Sequence, residues 1–186
     1  MLNRRGITLL ESAIALVIFG LIVAAVWVVY AKVSFNNNLG RTERGILETT
    51  VNIREYYRDR PMRNDGFNNT TAINFGLISP ELISSNGSIH YLSPNGTGPL
   101  TVGASNAICG PTVDVYFLVM NNLSREGCNG IIVRLLGNRS KIADYNVFSA
   151  SVNGVNPLSA ESDLDVRSVI NSCVDNNTVV LCFRTK

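Results

Sequence analysis

Between Arg5 and Lys32 the chain has one charged side chain, that of Glu11. Its surroundings are apolar, and Ser12–Ala31 carries no charge at all. A carboxylate at the edge of such a run can take up a proton, hold a cation or form an ion pair. Each of these needs a partner, because a lone charge in hydrocarbon is costly. Four cysteines, Cys109, Cys128, Cys173 and Cys182, supply the other reactive groups. They contain no CxxC pair, and the single His90 completes no Cys/His zinc set at the usual spacings. An even number of cysteines behind an apolar front points to two disulfides in an oxidising compartment. No Gly-x-Ser-x-Gly, phosphate loop or dinucleotide fingerprint occurs. Asp163 and Asp165 lack the rest of a calcium loop and read as acids at a helix start, where the dipole favours them. His90, between Ile89 and Tyr91, reads as structural or exposed. These residues therefore predict neither enzyme chemistry nor a cofactor or metal.

The element that must carry Glu11 is the apolar front. At 1.5 Å per residue, the uncharged Ser12–Ala31 run spans about 30 Å, the thickness of a bilayer's hydrocarbon. Arg4 and Arg5 precede it, which keeps the amino terminus cytoplasmic and sends the remainder outward. A cleaved secretory signal has a shorter apolar core, of about 7 to 15 residues. Val23-Ala24-Ala25 imitates its cleavage site, yet the apolar run continues through Tyr30. The whole chain has 186 residues and a net charge of +2, so bulk electrostatics predicts no nucleic-acid partner. The chain beyond the front is long enough for one soluble domain.

The front resembles the class III signal of type IV prepilins. The matching residues are the basic leader, Gly6, Ile7, Thr8 and Glu11, five places after the Gly. The resemblance implies cleavage after Gly6 by a prepilin peptidase and methylation of the new amino terminus at Ile7. It also gives Glu11 a role in assembly: in a filament of packed stems, its carboxylate faces the Ile7 amine of a neighbouring subunit. Physically, that pairing compensates a charge that would otherwise be buried alone and sets the register of each incoming subunit.

Beyond the span, Leu39, Ile46, Ile53 and Tyr57 trace one face of a continuing helix, with Val51 and Tyr56 nearby and Arg44 and Glu48 as a polar i,i+4 pair. Pro61 ends it. Ile7–Arg58 is 52 residues, about 78 Å as a continuous helix. Asn36–Asn38, Gly40 and Gly45 are weak helix formers, so a local unwinding or bend is expected between Asn36 and Gly45.

Arg60–Ile108 reads as a long loop with one short helix over Ser79–Ile83, capped by Ser79, and a hairpin near Asn86-Gly87 and Asn95-Gly96. Strands are expected at Thr112–Met120, Tyr145–Val152 and Thr178–Arg184, and helices at Leu123–Leu136 and Ser162–Cys173. The order gives an α+β fold: a long N-terminal helix with a protruding hydrophobic half, packed on an antiparallel or mixed sheet. The expected divisions are a leader at 1–6, a helix at 7–58 with its membrane or filament-core part at 7–31, and a globular domain at 59–186.

This arrangement resembles the larger, type IVb pilins, although a leader of six residues is short, as in type IVa. That resemblance implies a Cys128–Cys173 disulfide, leaving Cys109 for Cys182. Cys109–Cys128 with Cys173–Cys182 is the rival pairing. The implied function is a structural pilus subunit that self-polymerises after a stage in the bacterial inner membrane, giving an extracellular filament for adhesion, aggregation or conjugative contact. A host-cell or recipient-cell receptor is a further partner of such a filament. A minor pilin or type II secretion pseudopilin is the alternative within the family; a single-pass anchored adhesin is the alternative outside it.

Overall fold

The computed structural model describes residues 9–62, 66–93, 96–104, 106–109, 114–137, 144–158, 168 and 171–186. The chain divides into two units, Met1–Asn37 and Asn38–Lys186. Helix α1 runs over Leu9–Tyr57, without the local unwinding that Asn36–Gly45 suggested.

The second unit explains why weak helix formers are placed there. Leu39, Ile46 and Ile53 are buried, joined by Thr42, Gly45, Thr49 and Thr50 on the same face. Val51 lies off this face and is half exposed. A Cβ on Gly45 would stand 2.7 Å from Leu82 Cγ. Helix α4 (Arg125–Leu136) approaches equally closely: a Cβ on its Gly130 would stand 2.5 Å from Leu39 Cδ1. The glycines thus lose some helix propensity but let neighbouring elements reach the helix backbone.

Arg60–Ile108 is more ordered than a loop. It holds α2 (Asn69–Asn74), a 3₁₀ turn (Pro80–Leu82), β1 (His90–Ser93) and β2 (Gly96–Gly103), and α3 starts inside it (Asn106–Cys109). Asn68 caps α2 by accepting from Thr71 N. Ser79 does not cap the 3₁₀ turn with its side chain; its hydroxyl donates to Glu48 Oε2, and its backbone N–H donates to Thr49 Oγ1. Glu48 is thereby turned toward Ser79, while Arg44 donates back to the Gly40 carbonyl. Strand β2 is masked in the sequence by its Gly and Pro residues. Its first half pairs with β1 up to Pro99, and its second half pairs with β3 (Val115–Leu123) from Leu100. A residue lacking an N–H is tolerated at that change of partner.

The remaining elements are β3 (Val115–Leu123), α4 (Arg125–Leu136), β4 (Val147–Val152), β5 (Val155–Leu158) and β6 (Asn177–Arg184). Leu123 therefore closes a strand and does not open the helix. Ser124 is the cap, its Oγ accepting from Gly127 N at 3.2 Å. The helix expected at Ser162–Cys173 lies mostly outside the described residues; Ser168, Asn171 and Ser172 are helical. The six described strands are antiparallel throughout, in the order β1-β2-β3-β6-β4-β5.

Tyr116 of β3 stacks on Phe183 of β6 at 5.1 Å. Its buried hydroxyl is pushed far above the usual phenol range, chiefly by burial. Nearby Thr50 of α1 opposes that rise, although the two hydroxyls are too poorly placed to hydrogen-bond. Burial also raises Tyr91 to about 12, and its hydroxyl donates to the Asn121 carbonyl. At the β1 edge, Thr42 Oγ1 accepts from Leu92 N at 2.9 Å and donates to Leu92 O at 3.0 Å. The opposite edge strand, β5, contains Pro157.

Gly45→Ala should lower stability by about 1–3 kcal/mol through overpacking against Leu82, outweighing a helix-propensity gain of about 1 kcal/mol. Urea unfolding reads this directly: a lower midpoint is expected, and an unchanged one would mean that Leu82 yields without cost.

Candidate functional site

The first unit contains the stem. Glu11 lies in the first described turn of α1 and is exposed, with Ser12 Oγ donating to Leu9 O at 2.9 Å. After it comes a stretch whose mean hydropathy reaches 2.8, and no part of it is buried. The large apolar side chains from Leu9 to Val33 are between 49% and 88% exposed. Trp27 and Tyr30 lie side by side near its end, with ring centroids 6.4 Å apart. This is one helix long and apolar enough to cross a membrane.

Such a surface cannot stay in water. Each Val, Leu, Ile or Phe side chain gains about 1.5–3 kcal/mol on full burial. The segment therefore needs either hydrocarbon or other apolar helices around it. Glu11 gains nothing from hydrocarbon, so it marks the level at which a polar partner is required. Gly6 and Ile7, the expected cleavage and methylation residues, lie outside the described residues.

The cysteines sit in the second unit. Cys109, on α3, is joined to Cys182 of β6 with Cα atoms 5.8 Å apart. Cys128, on α4, is joined to Cys173, ahead of β6, with Cα atoms 5.9 Å apart. Both bonds thus converge on the last strand, one within it and one at its approach. They bridge sequence separations of 73 and 45 residues. The rival pairing is absent.

Sequence reasoning misses the polar group that fixes this approach. Asn177 is fully buried. Its amide donates to the carbonyls of Leu123 and Val174, and its Oδ1 accepts from Val174 N at 2.7 Å and Asn153 Nδ2 at 2.9 Å. Asn153, left-handed at φ 52°, donates to Ser172 O and accepts from Thr178 N. One buried amide thereby positions the Cys173–Val174 turn against β3. In a chain this rich in asparagine, nothing local distinguishes Asn177 from a surface residue.

Among the described residues, no group of three or more His, Cys, Asp or Glu side chains could hold a metal ion. Buried His90 Nδ1 has no hydrogen-bond partner among the described residues.

Comparison with known proteins gives two findings. Residues 1–27 match the prokaryotic N-terminal methylation motif. The structure is similar to that of TcpA, a type IV pilin from Vibrio cholerae El Tor biotype, with a TM-score of 0.51 and 11% sequence identity, covering 78% of this chain and 98% of that one. No curated protein sequence matches the chain. The chain thus joins an N-terminal methylation motif to the fold seen in a type IV pilin.

Replacing Cys128 and Cys173 together by Ser should cost about 2–4 kcal/mol, the usual contribution of a disulfide. Thermal unfolding under non-reducing conditions measures the loss. If the melting temperature stays unchanged, Asn177 alone holds the turn.

Proposed function

We propose that this chain is a structural subunit of a type IV pilus. The observation that carries the reading is the uncovered apolar stem with Glu11 at its start, within a segment that matches the methylation motif. The chain enters the bacterial inner membrane with its basic leader in the cytoplasm. A prepilin peptidase cuts after Gly6, and the amine of Ile7 becomes the new, methylated terminus.

Glu11 then decides how a stem leaves the bilayer. Lipid tails are as apolar as the stem, so the hydrophobic effect hardly separates membrane from filament core; tight packing and polar pairing do. In the core, a carboxylate without a partner would cost several kcal/mol. The cationic Ile7 amine of a neighbouring subunit removes that cost at one axial stagger only. Glu11 therefore selects the register, and the apolar side chains fill the core once it is set. The second unit, tied by its two disulfides, forms the outer layer of a secreted filament available for adhesion, aggregation or contact with a recipient cell.

Two measurements on the native material test this. Mass spectrometry should find N-methyl-Ile7 as the first residue; an intact Met1, or cleavage after Ala25, would defeat the reading. Glu11→Ala should still be processed yet yield almost no filament by electron microscopy. Normal piliation by that variant would remove the pairing role.

A further inference from the structure

The sequence contains four Asn-Gly pairs, beginning at Asn86, Asn95, Asn129 and Asn153. Such a pair can modify itself. The side-chain amide carbon of Asn lies within ring-closing reach of the next backbone nitrogen, and glycine presents that nitrogen with no Cβ to block the approach. Asn95 lies outside the described residues, and the structure holds the other three pairs differently.

Asn129-Gly130 is inside α4, where the Gly130 N–H is committed to the helix ladder. Asn153-Gly154 forms the tight turn between β4 and β5, with φ of 52° and 82°. Its side chain is fastened at both atoms. Nδ2, the group that deamidation would expel, donates to Ser172 O and to Asn177 Oδ1, each at 2.9 Å. Oδ1 accepts from Thr178 N, also at 2.9 Å. A carboxylate there would turn an oxygen toward two acceptors, so the fold opposes the product as well as the reaction.

Asn86-Gly87 is held in the opposite sense. Asn86, Gly87 and Ser88 are exposed, in a turn closed by the Ile83–Ile89 bridge. Asn86 Oδ1 accepts from the Ser88 N–H at 3.1 Å and from the Ser88 hydroxyl at 2.6 Å. Two donors on that oxygen polarise the amide and stabilise the negative charge that develops when Cγ is attacked. Among the described residues, Nδ2 has no partner to hold it back. The Gly87 N–H donates to Ser84 O at 2.8 Å, and this contact must open before attack. It lies in a short exposed turn, where local opening costs little.

We infer that the fold leaves Asn86 as a site of spontaneous deamidation while protecting Asn129 and Asn153. The Gly87 nitrogen attacks Asn86 Cγ. The N–Cγ bond forms, the Cγ–Nδ2 bond breaks, and the Gly87 amide proton passes through solvent to the departing nitrogen, which leaves as ammonia. One water molecule then opens the cyclic imide. Water attack at Cγ gives an aspartyl product; attack at the main-chain carbonyl gives an isoaspartyl product, whose backbone runs through one additional carbon. Nothing is oxidised or reduced, and water is the co-reactant. Each converted copy gains a negative charge between the 3₁₀ turn and β1, so the protein becomes heterogeneous with age at a defined turn.

Incubation of the full-length protein at neutral pH in heavy-oxygen water, followed by peptide mapping, tests this. The Asn86 peptide should take up heavy oxygen and yield both products about tenfold faster than the Asn153 peptide, the factor that two hydrogen bonds on the leaving amide supply. The Asn129 peptide should stay unlabelled over the same period. In urea with both disulfides reduced, the three rates should converge. Equal rates at Asn86 and Asn153 in the folded protein overturn the inference, because the turn then gives Asn86 no access that Asn153 lacks. A difference that survives unfolding also overturns it, because the fold then does not set the contrast.

Discussion

An apolar helix that ends in a single carboxylate imposes one constraint on this molecule. The stem is stable only where something apolar surrounds it, and Glu11 is stable only where something positive or polar meets it. A bilayer meets the first condition along the length and the second only at its surface. A bundle of identical stems meets both, provided that each is staggered so that its carboxylate faces a neighbour's amine. The expected membrane stage and the expected polymer are therefore two solutions to one solvation problem. The exposed side chains from Leu9 to Val33 are what make one or the other necessary.

The second unit meets a different demand, that of keeping its own shape. Its long helix segment packs at short range because Gly45 and Gly130 remove side chains where Leu82 and Leu39 must enter. Glu43 and Arg134, 3.4 Å apart and partly shielded, add a charged contact between α1 and α4. The last strand carries the most constraint. It pairs on both sides, with β3 and β4, and both disulfides end in it or just before it. Buried Asn177 closes the remaining gap by meeting four backbone and side-chain partners, which a buried amide requires if it is not to destabilise its surroundings.

Much of this is legible in the residues. Leu39, Ile46 and Ile53 announce the buried face of α1 through spacing alone, and Ser124 announces the start of α4. The strands at Val115, Val147 and Asn177 follow from β-branched and aromatic runs. The features that do not show have a physical reason in each case. Propensity alone marks Gly40 and Gly45 as weak points, whereas Gly45 is set by the close approach of Leu82. Strand β2 contains three glycines and a proline and changes partners midway, so its sequence resembles a turn. Ser79 has the chemistry of a cap but donates to Glu48 across the interface. The stem is the most legible element, since bilayer thickness and charge placement act on consecutive residues. The two disulfides can be expected in number, but their pairing depends on distances between remote segments.

The treatment of the sheet's borders has a consequence for crowding. A polymer of this kind holds many copies of one sequence at very high local concentration, and that favours fusion of exposed strands into amyloid-like ribbons. Here Leu92 on the β1 border already has its N–H and C=O satisfied by the hydroxyl of Thr42. The short β5 border is interrupted by Pro157, which has no N–H to offer. Neither margin is a good template for a foreign strand, so the proposed filament could bring copies close together without their sheets zipping into an irreversible aggregate.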